Sequence, residues 1–196
     1  MNFKDARQYI LDKLKNDLPE GLYYHGLEHT LDVEKAVERI ALSEGIKDSR
    51  RLNLLKTAAL FHDAGYLEEY FSNERTGCKI AAGILPEFGY SEADIQDITR
   101  MIVSTEIPQH PETAEDKILC DADLDYLGRD DFFEIAENLR NELAVHWKTF
   151  TDEEWLQFEI DFLEKHRYFT ETSRADREER KQEHIRILKT NLKTIA

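Results

Sequence analysis

Turn-forming residues are scarce in this chain. Eight glycines and four prolines in 196 positions leave too few breaks for a many-stranded sandwich or barrel. The only two cysteines, Cys78 and Cys120, each sit in an apolar helical pattern, so no disulfide is expected and a reducing compartment suits the chain. No run of about 18 apolar residues occurs. The opening segment MNFKDARQYILDKLKNDL is charged and amphipathic rather than a basic region followed by an apolar one. A cytoplasmic protein without membrane association is therefore expected. Basic residues are also short in number: 26 Lys/Arg stand against 41 Asp/Glu, a net charge of −15 that repels nucleic-acid backbones and anionic surfaces. Binding to a nucleic-acid duplex is not expected, while assembly into a homo-oligomer stays open.

What is present is a core-forming composition, 41% hydrophobic and 34% charged, on a chain short enough for one domain with an appendage. Apolar residues recur at helical spacing nearly throughout, and no sustained alternation with β-branched enrichment appears. The expected fold is all-α. Helices are predicted over 2–16, 28–44, 50–65, 73–85, 91–105, 114–128, 130–147, 152–168 and 172–194, separated by breaks such as Pro19-Glu20-Gly21, Gly45, Gly65, Pro86 to Gly89 and Pro108 to Pro111.

Several polar side chains fall on the apolar faces of these helices. In 28–44, Val33, Ala36, Val37, Ile40 and Ala41 form the inward stripe, and His29 lies one turn earlier on the same face. In 50–65, Leu55, Ala58 and Ala59 lead to His62, followed at once by Asp63 and Gly65. In 114–128, Asp123 is embedded among Leu119, Ala122, Tyr126 and Leu127, a placement that costs several kcal/mol unless a cation or hydrogen bonds offset it. Asp121 and Asp125 share a neighbouring face with Ile118, where water is expected to reach them more easily, so Asp121 is the second choice. Glu74 precedes Cys78, Ala81 and Leu85 at helical steps, and either the helix dipole or a catalytic role accounts for it. Two histidines and two carboxylates directed into one core form a mixed N/O donor set without thiolate. Such a set suits Mn²⁺, Fe, Co²⁺, Ni²⁺, Zn²⁺ or Mg²⁺ and implies metal-assisted hydrolysis.

The segments YHGLEHTLDV (24–33), AALFHDAGY (58–66), NERTG (73–77) and ILCDADLDYLGRDDF (118–132) resemble, in order and spacing, the HD-domain superfamily of metal-dependent phosphohydrolases. The similarity spans about residues 22–132. It would place an N-terminal helix at 1–21 and a C-terminal helical extension at 133–196 packed on the same core. The resemblance implies a helical bundle whose metal ligands are His29, His62, Asp63 and Asp123. It also implies hydrolysis of phosphoesters, commonly of nucleotides, by water activated on one or two divalent ions. Some members carry a His-Glu pair after the doublet, where this chain reads Asn73-Glu74. Members with two metals use further histidines between the doublet and the distal Asp, and only His110 lies there, so one tightly held ion is expected.

On this reading Asp63 serves both the ion and the attacking water, and Glu74 is the remaining candidate for proton transfer. His25, in the loop before His29, is expected near the substrate phosphate. Residues 165–196 hold nine Lys/Arg and five Asp/Glu, against the acidity of the rest. They form either a solvated terminal helix or a basic element over the cleft, in which His166, Arg174, Arg177 and Lys181 would neutralise substrate charge. Trp147, Trp155, Phe158 and Phe162 read as core packing. The expected partner is a small phosphorylated substrate, a nucleotide being what the resemblance implies; a non-catalytic nucleotide sensor or regulator on the same fold is the alternative.

Overall fold

The structure, a computed structural model, describes residues 1–195. Among the described residues there are nine α-helices and no strand: α1 (Phe3–Asp17), α2 (Leu27–Ser43), α3 (Ser49–Phe61), α4 (Asn73–Ile84), α5 (Glu92–Ser104), α6 (Ala114–Asp123), α7 (Phe132–His146), α8 (Asp152–Lys165) and α9 (Glu171–Ile195). The starts are written in local chemistry. Ser91, Thr113 and Thr151 each close a reciprocal capping box with Asp94, Asp116 and Glu154, and Asp48 accepts from the Arg51 amide at the start of α3. At the end of α2 the chain turns away through Gly45 at φ +86°, a left-handed conformation that side chains disfavour.

Two helices stop earlier than their apolar periodicity suggests. The helix expected over 50–65 ends at Phe61, and the one expected over 114–128 ends at Asp123; in each case a short 3₁₀ turn follows, Ala64–Leu67 and Asp125–Gly128. A 3₁₀ turn keeps a near-helical spacing of inward side chains, so periodicity alone does not reveal the break. The breaks fall at the candidate ligands.

The buried interior divides into two apolar clusters. The first joins α1 through α6, with Ile10, Val37, Ile40, Leu55, Phe61, Ile98, Ile102 and Leu119 removed from solvent. The second is built from the C-terminal helices on Leu124, Tyr126, Leu127 and Phe132, with Trp155, Leu163 and Leu188 at its heart. Trp147, expected inside, is 58% exposed. Asp123 lies between Ala122 of the first cluster and Leu124 of the second, so the candidate centre occupies the seam. Polar stitches hold the halves together. Asp125 accepts from Arg39 and Arg177, the Leu127 carbonyl meets Nδ1 of His184 at 3.0 Å, and α9 passes so close to Gly128 that a Cβ there would stand 2.3 Å from the Arg177 carbonyl oxygen.

Candidate metal centre

His29 projects from the first turn of α2, His62 caps the end of α3, Asp63 follows it, and Asp123 is the last residue of α6. Four atoms meet there. Nε2 of His62 lies 3.3 Å from Nε2 of His29, 3.1 Å from Oδ2 of Asp63 and 3.4 Å from Oδ1 of Asp123. His29 Nε2 in turn lies 3.4 Å from Asp63 Oδ2 and 3.2 Å from Asp123 Oδ1. Donor atoms of His29, His62 and Asp123 all fall within 4.8 Å of one another, the one such metal-ligand group among the described residues, and Asp63 reaches both histidines from beside it.

The supporting contacts aim these atoms. His62 Nδ1 lies 2.7 Å from the Ala59 carbonyl and must donate to it, which leaves Nε2 to face the centre and to offer a lone pair there when the ring is neutral. Asn73 donates to Oδ1 of Asp63 at 3.2 Å, while Oδ2 is buried without a hydrogen-bond partner. The close approach of Asn73 requires Gly65, whose Cβ would meet the Asn73 carbonyl oxygen at 1.9 Å. Burial opposes charge on His62, yet Asp63 and Asp123 outweigh it and raise its pKa well above the ordinary value. Burial likewise disfavours the charged Asp123, but His29 and His62 hold its carboxyl well below the usual carboxylate range. Two carboxylates, one of them with a buried unpartnered oxygen, facing Nε2 of two imidazoles, fit a divalent cation better than any neutral occupant.

A second layer comes from α7. Glu142, fully buried, accepts from the amides of Tyr24 (2.8 Å) and His25 (3.0 Å), bonds Nδ1 of His25, and accepts from Tyr70 Oη at 3.2 Å. The His25 ring stacks on Tyr66 at 4.4 Å and stands edge-on to His29 at 6.0 Å. Burial lowers the His25 pKa, but Glu142 and Asp63 more than reverse this and the net direction is up. Glu142 escapes a sequence reading centred on motifs, although it breaks an apolar helix face in the same way as Asp123 does. Glu74, half-buried at the start of α4, has its pKa raised by burial and then by Asp63 and Glu106. A cavity of about 240 Å³ opens beside His29 and Asp123, with Lys35 and Arg129 as its cations and Tyr23 and Tyr126 among its walls.

Other expected site residues lie elsewhere. Asp121 is not the more accessible acid: it is fully buried, because the α8–α9 junction covers its face, and it accepts from the amides of Phe169 and Thr170 at 2.8 Å each and from Thr170 Oγ1 at 2.6 Å. Lys181 is fully buried and donates to the His166 carbonyl at 3.0 Å while pairing with Glu178 at 2.9 Å. Arg174 donates to the carbonyls of Tyr168 and Phe169, and Arg177 pairs with Asp125. His166 is buried against Lys181 and lines a different cavity. The basic C-terminal helix thus spends these charges inside its own packing instead of covering the centre.

The family profile of the HD domain matches residues 26–125. The chain therefore belongs to the HD-domain family. Solved structures of similar fold include one from an uncultured Thermotogales bacterium described as a predicted HD superfamily hydrolase, 22% identical, with a TM-score of 0.62 over 96% of this chain and 92% of its own. A Listeria innocua protein is 22% identical, with a TM-score of 0.65 over 98% of each chain. A Lactobacillus plantarum protein is 18% identical, with a TM-score of 0.67 over 98% of this chain and 97% of its own. No curated protein matches the chain. No helix among the described residues is long and apolar enough to cross a membrane.

Proposed function

We propose that the protein is a metal-dependent phosphohydrolase that cleaves a phosphoester of a nucleotide or a related small phosphorylated metabolite. The observation that carries this reading is the convergence of His29, His62, Asp63 and Asp123, with one buried carboxylate oxygen, Asp63 Oδ2, faced only by the two imidazoles. Membership in the HD-domain family and likeness to a protein described as a predicted hydrolase support it.

A divalent ion held by these four side chains would supply Lewis acidity toward a phosphoryl oxygen and make water acidic enough to attack at neutral pH. The chain's own groups do the rest. His62, pinned through Nδ1, and Asp63, pinned through Asn73, keep the donor geometry fixed. Lys35 and Arg129 line a cavity that shares His29 and Asp123; Glu28 and Asp32 line it too and Arg129 is paired with Asp32 and Asp131, which leaves Lys35 as the cation to meet a phosphate there. His25, held through Nδ1 by Glu142, has only Nε2 free to give a proton to a departing oxygen. Glu74, half-buried and with its pKa raised, is the second group able to carry a proton.

A screen of nucleoside mono-, di-, tri- and cyclic phosphates with added Mn²⁺, Mg²⁺ or Zn²⁺ tests the reading. It expects turnover by the wild type and loss in His62→Ala and Asp63→Ala with helical circular dichroism retained. Full activity in either variant contradicts it, and absence of turnover with every phosphoester favours a sensor on the same fold.

A further inference from the structure

A cavity of about 320 Å³ lies between residues 107–109, the end of α6 and the α8–α9 junction, and it shares no lining residue with the pocket beside His29 and Asp123. Leu124, Phe162 and Phe169 give it an apolar wall; its polar members are Gln109, Lys165, His166 and Arg167. It contains no carboxylate, in a chain with 41 acidic residues.

His166 is the informative group. The residue is 9% exposed, and Nε2 is buried with no hydrogen-bond partner. Nδ1 lies 3.4 Å from Nζ of Lys181, which also donates to the His166 carbonyl and is paired with Glu178. An ammonium only donates, so Nδ1 must accept, and the single ring proton then sits on Nε2. Burial, with Lys181 and Arg167 nearby, pushes the His166 pKa down to about 3, so the ring stays neutral. The result is a buried N–H donor without an acceptor, an arrangement that native interiors rarely leave unanswered. At the rim, among the described residues, Lys165 has no acidic partner, and Arg167 donates to the backbone carbonyls of Glu164 and His166 without meeting a carboxylate. Lys165 in the last turn of α8 also suits the helix dipole; the acid-free lining and the orphan donor are not explained that way.

We propose that this cavity is a second binding site, for a small oxyanion with an apolar body, in which His166 Nε2–H donates to an oxygen and Lys165 and Arg167 balance the charge. The volume admits a single aromatic ring with a short acidic arm. Gln109, bonded to the Cys120 carbonyl at 3.2 Å, fixes the loop that forms one side.

The full chain is titrated with phenylacetate, phenylphosphonate and the neutral 2-phenylethanol, with calorimetry for affinity and chemical-shift changes at Phe162 and Phe169 for location. Millimolar binding of an oxyanion is expected, roughly tenfold tighter than the alcohol. Binding of phenylacetate alone points to carboxylic acids as the natural ligands, and of phenylphosphonate alone to phosphoryl compounds. His166→Phe, which keeps a ring and removes the donor, should weaken binding about tenfold. Lys165→Glu, an exposed change that leaves the packing intact, should weaken it severalfold. The site is overturned if neither oxyanion shifts Phe162 or Phe169, if the alcohol binds equally well, or if Lys165→Glu and His166→Phe both retain wild-type affinity.

Discussion

The imidazole of His25 is bound through Nδ1 to the carboxylate of Glu142, a residue 117 positions away on a helix outside the segment matched to the family. The same carboxylate also accepts two backbone amides, so it fixes both the loop and the ring. Glu142→Gln should keep the fold and its divalent-ion content while lowering kcat by roughly 10²-fold, the usual scale for a misdirected general acid. The His25 pKa is raised in the fold, so the stability it contributes is present below its ordinary value of 6.5 and lost as pH rises through the raised one. The stability difference between wild type and Glu142→Gln should therefore shrink as pH rises from 6 toward 9, read by urea denaturation at each pH.

Glu159 gives the opposite handle on pH. Its carboxyl is buried on α8, and burial pushes its pKa up to about 8 from an ordinary 4.5. Between those values the native state holds a proton that the unfolded chain has released, so this group makes stability fall with rising pH. Glu159→Gln should flatten that fall and be the more stable protein at pH 9, with little difference at pH 5. An unchanged pH dependence in thermal unfolding contradicts the assignment.

Gly65 permits Asn73 to reach Asp63, and a Cβ there would collide with the Asn73 backbone. Gly65→Ala should cost about 1–3 kcal/mol or more in stability. The displaced Asn73 should also loosen Asp63, so ion affinity should drop beyond what the stability loss explains. Calorimetric ion titration at a temperature where the variant is folded checks this.

The two aspartates of α6 should separate cleanly. Asp123→Asn is expected to lose the ion while staying folded. Asp121→Asn is expected to keep the ion but lose about 1–3 kcal/mol, because the amides of Phe169 and Thr170 lose a charged acceptor. Loss of the ion in Asp121→Asn alone reverses the roles of the two residues.

The all-helical fold was legible because periodicity and capping chemistry agree along almost the whole chain. The convergence of His29, His62, Asp63 and Asp123 was legible for a related reason: a polar group on an apolar stripe must be answered by something inside. Asp121 shows where that reasoning stops. Its accessibility depends on the α8–α9 junction, which covers a second face of α6, and one helix's periodicity carries no record of what another helix covers. Lys181 and Arg174 show the same limit, since their charge is visible in sequence but the direction of α9 is not. Glu142 is readable on the same ground: it stands among Ile135, Leu139 and Leu143, which pack on the second cluster, and it is as anomalous there as Asp123 is on α6. The early ends of α3 and α6 were hidden by the 3₁₀ turns that continue their inward spacing.

The most direct test is elemental analysis of the wild-type protein, purified without chelator, beside His62→Ala and Asp63→Ala. About one divalent ion per chain in the wild type, falling to a small fraction in both variants with the helical spectrum preserved, is the expected result. A wild type that takes up no ion even when Mn²⁺, Zn²⁺ or Fe²⁺ is supplied, or variants that retain the full complement, would contradict the shared centre of His29, His62, Asp63 and Asp123.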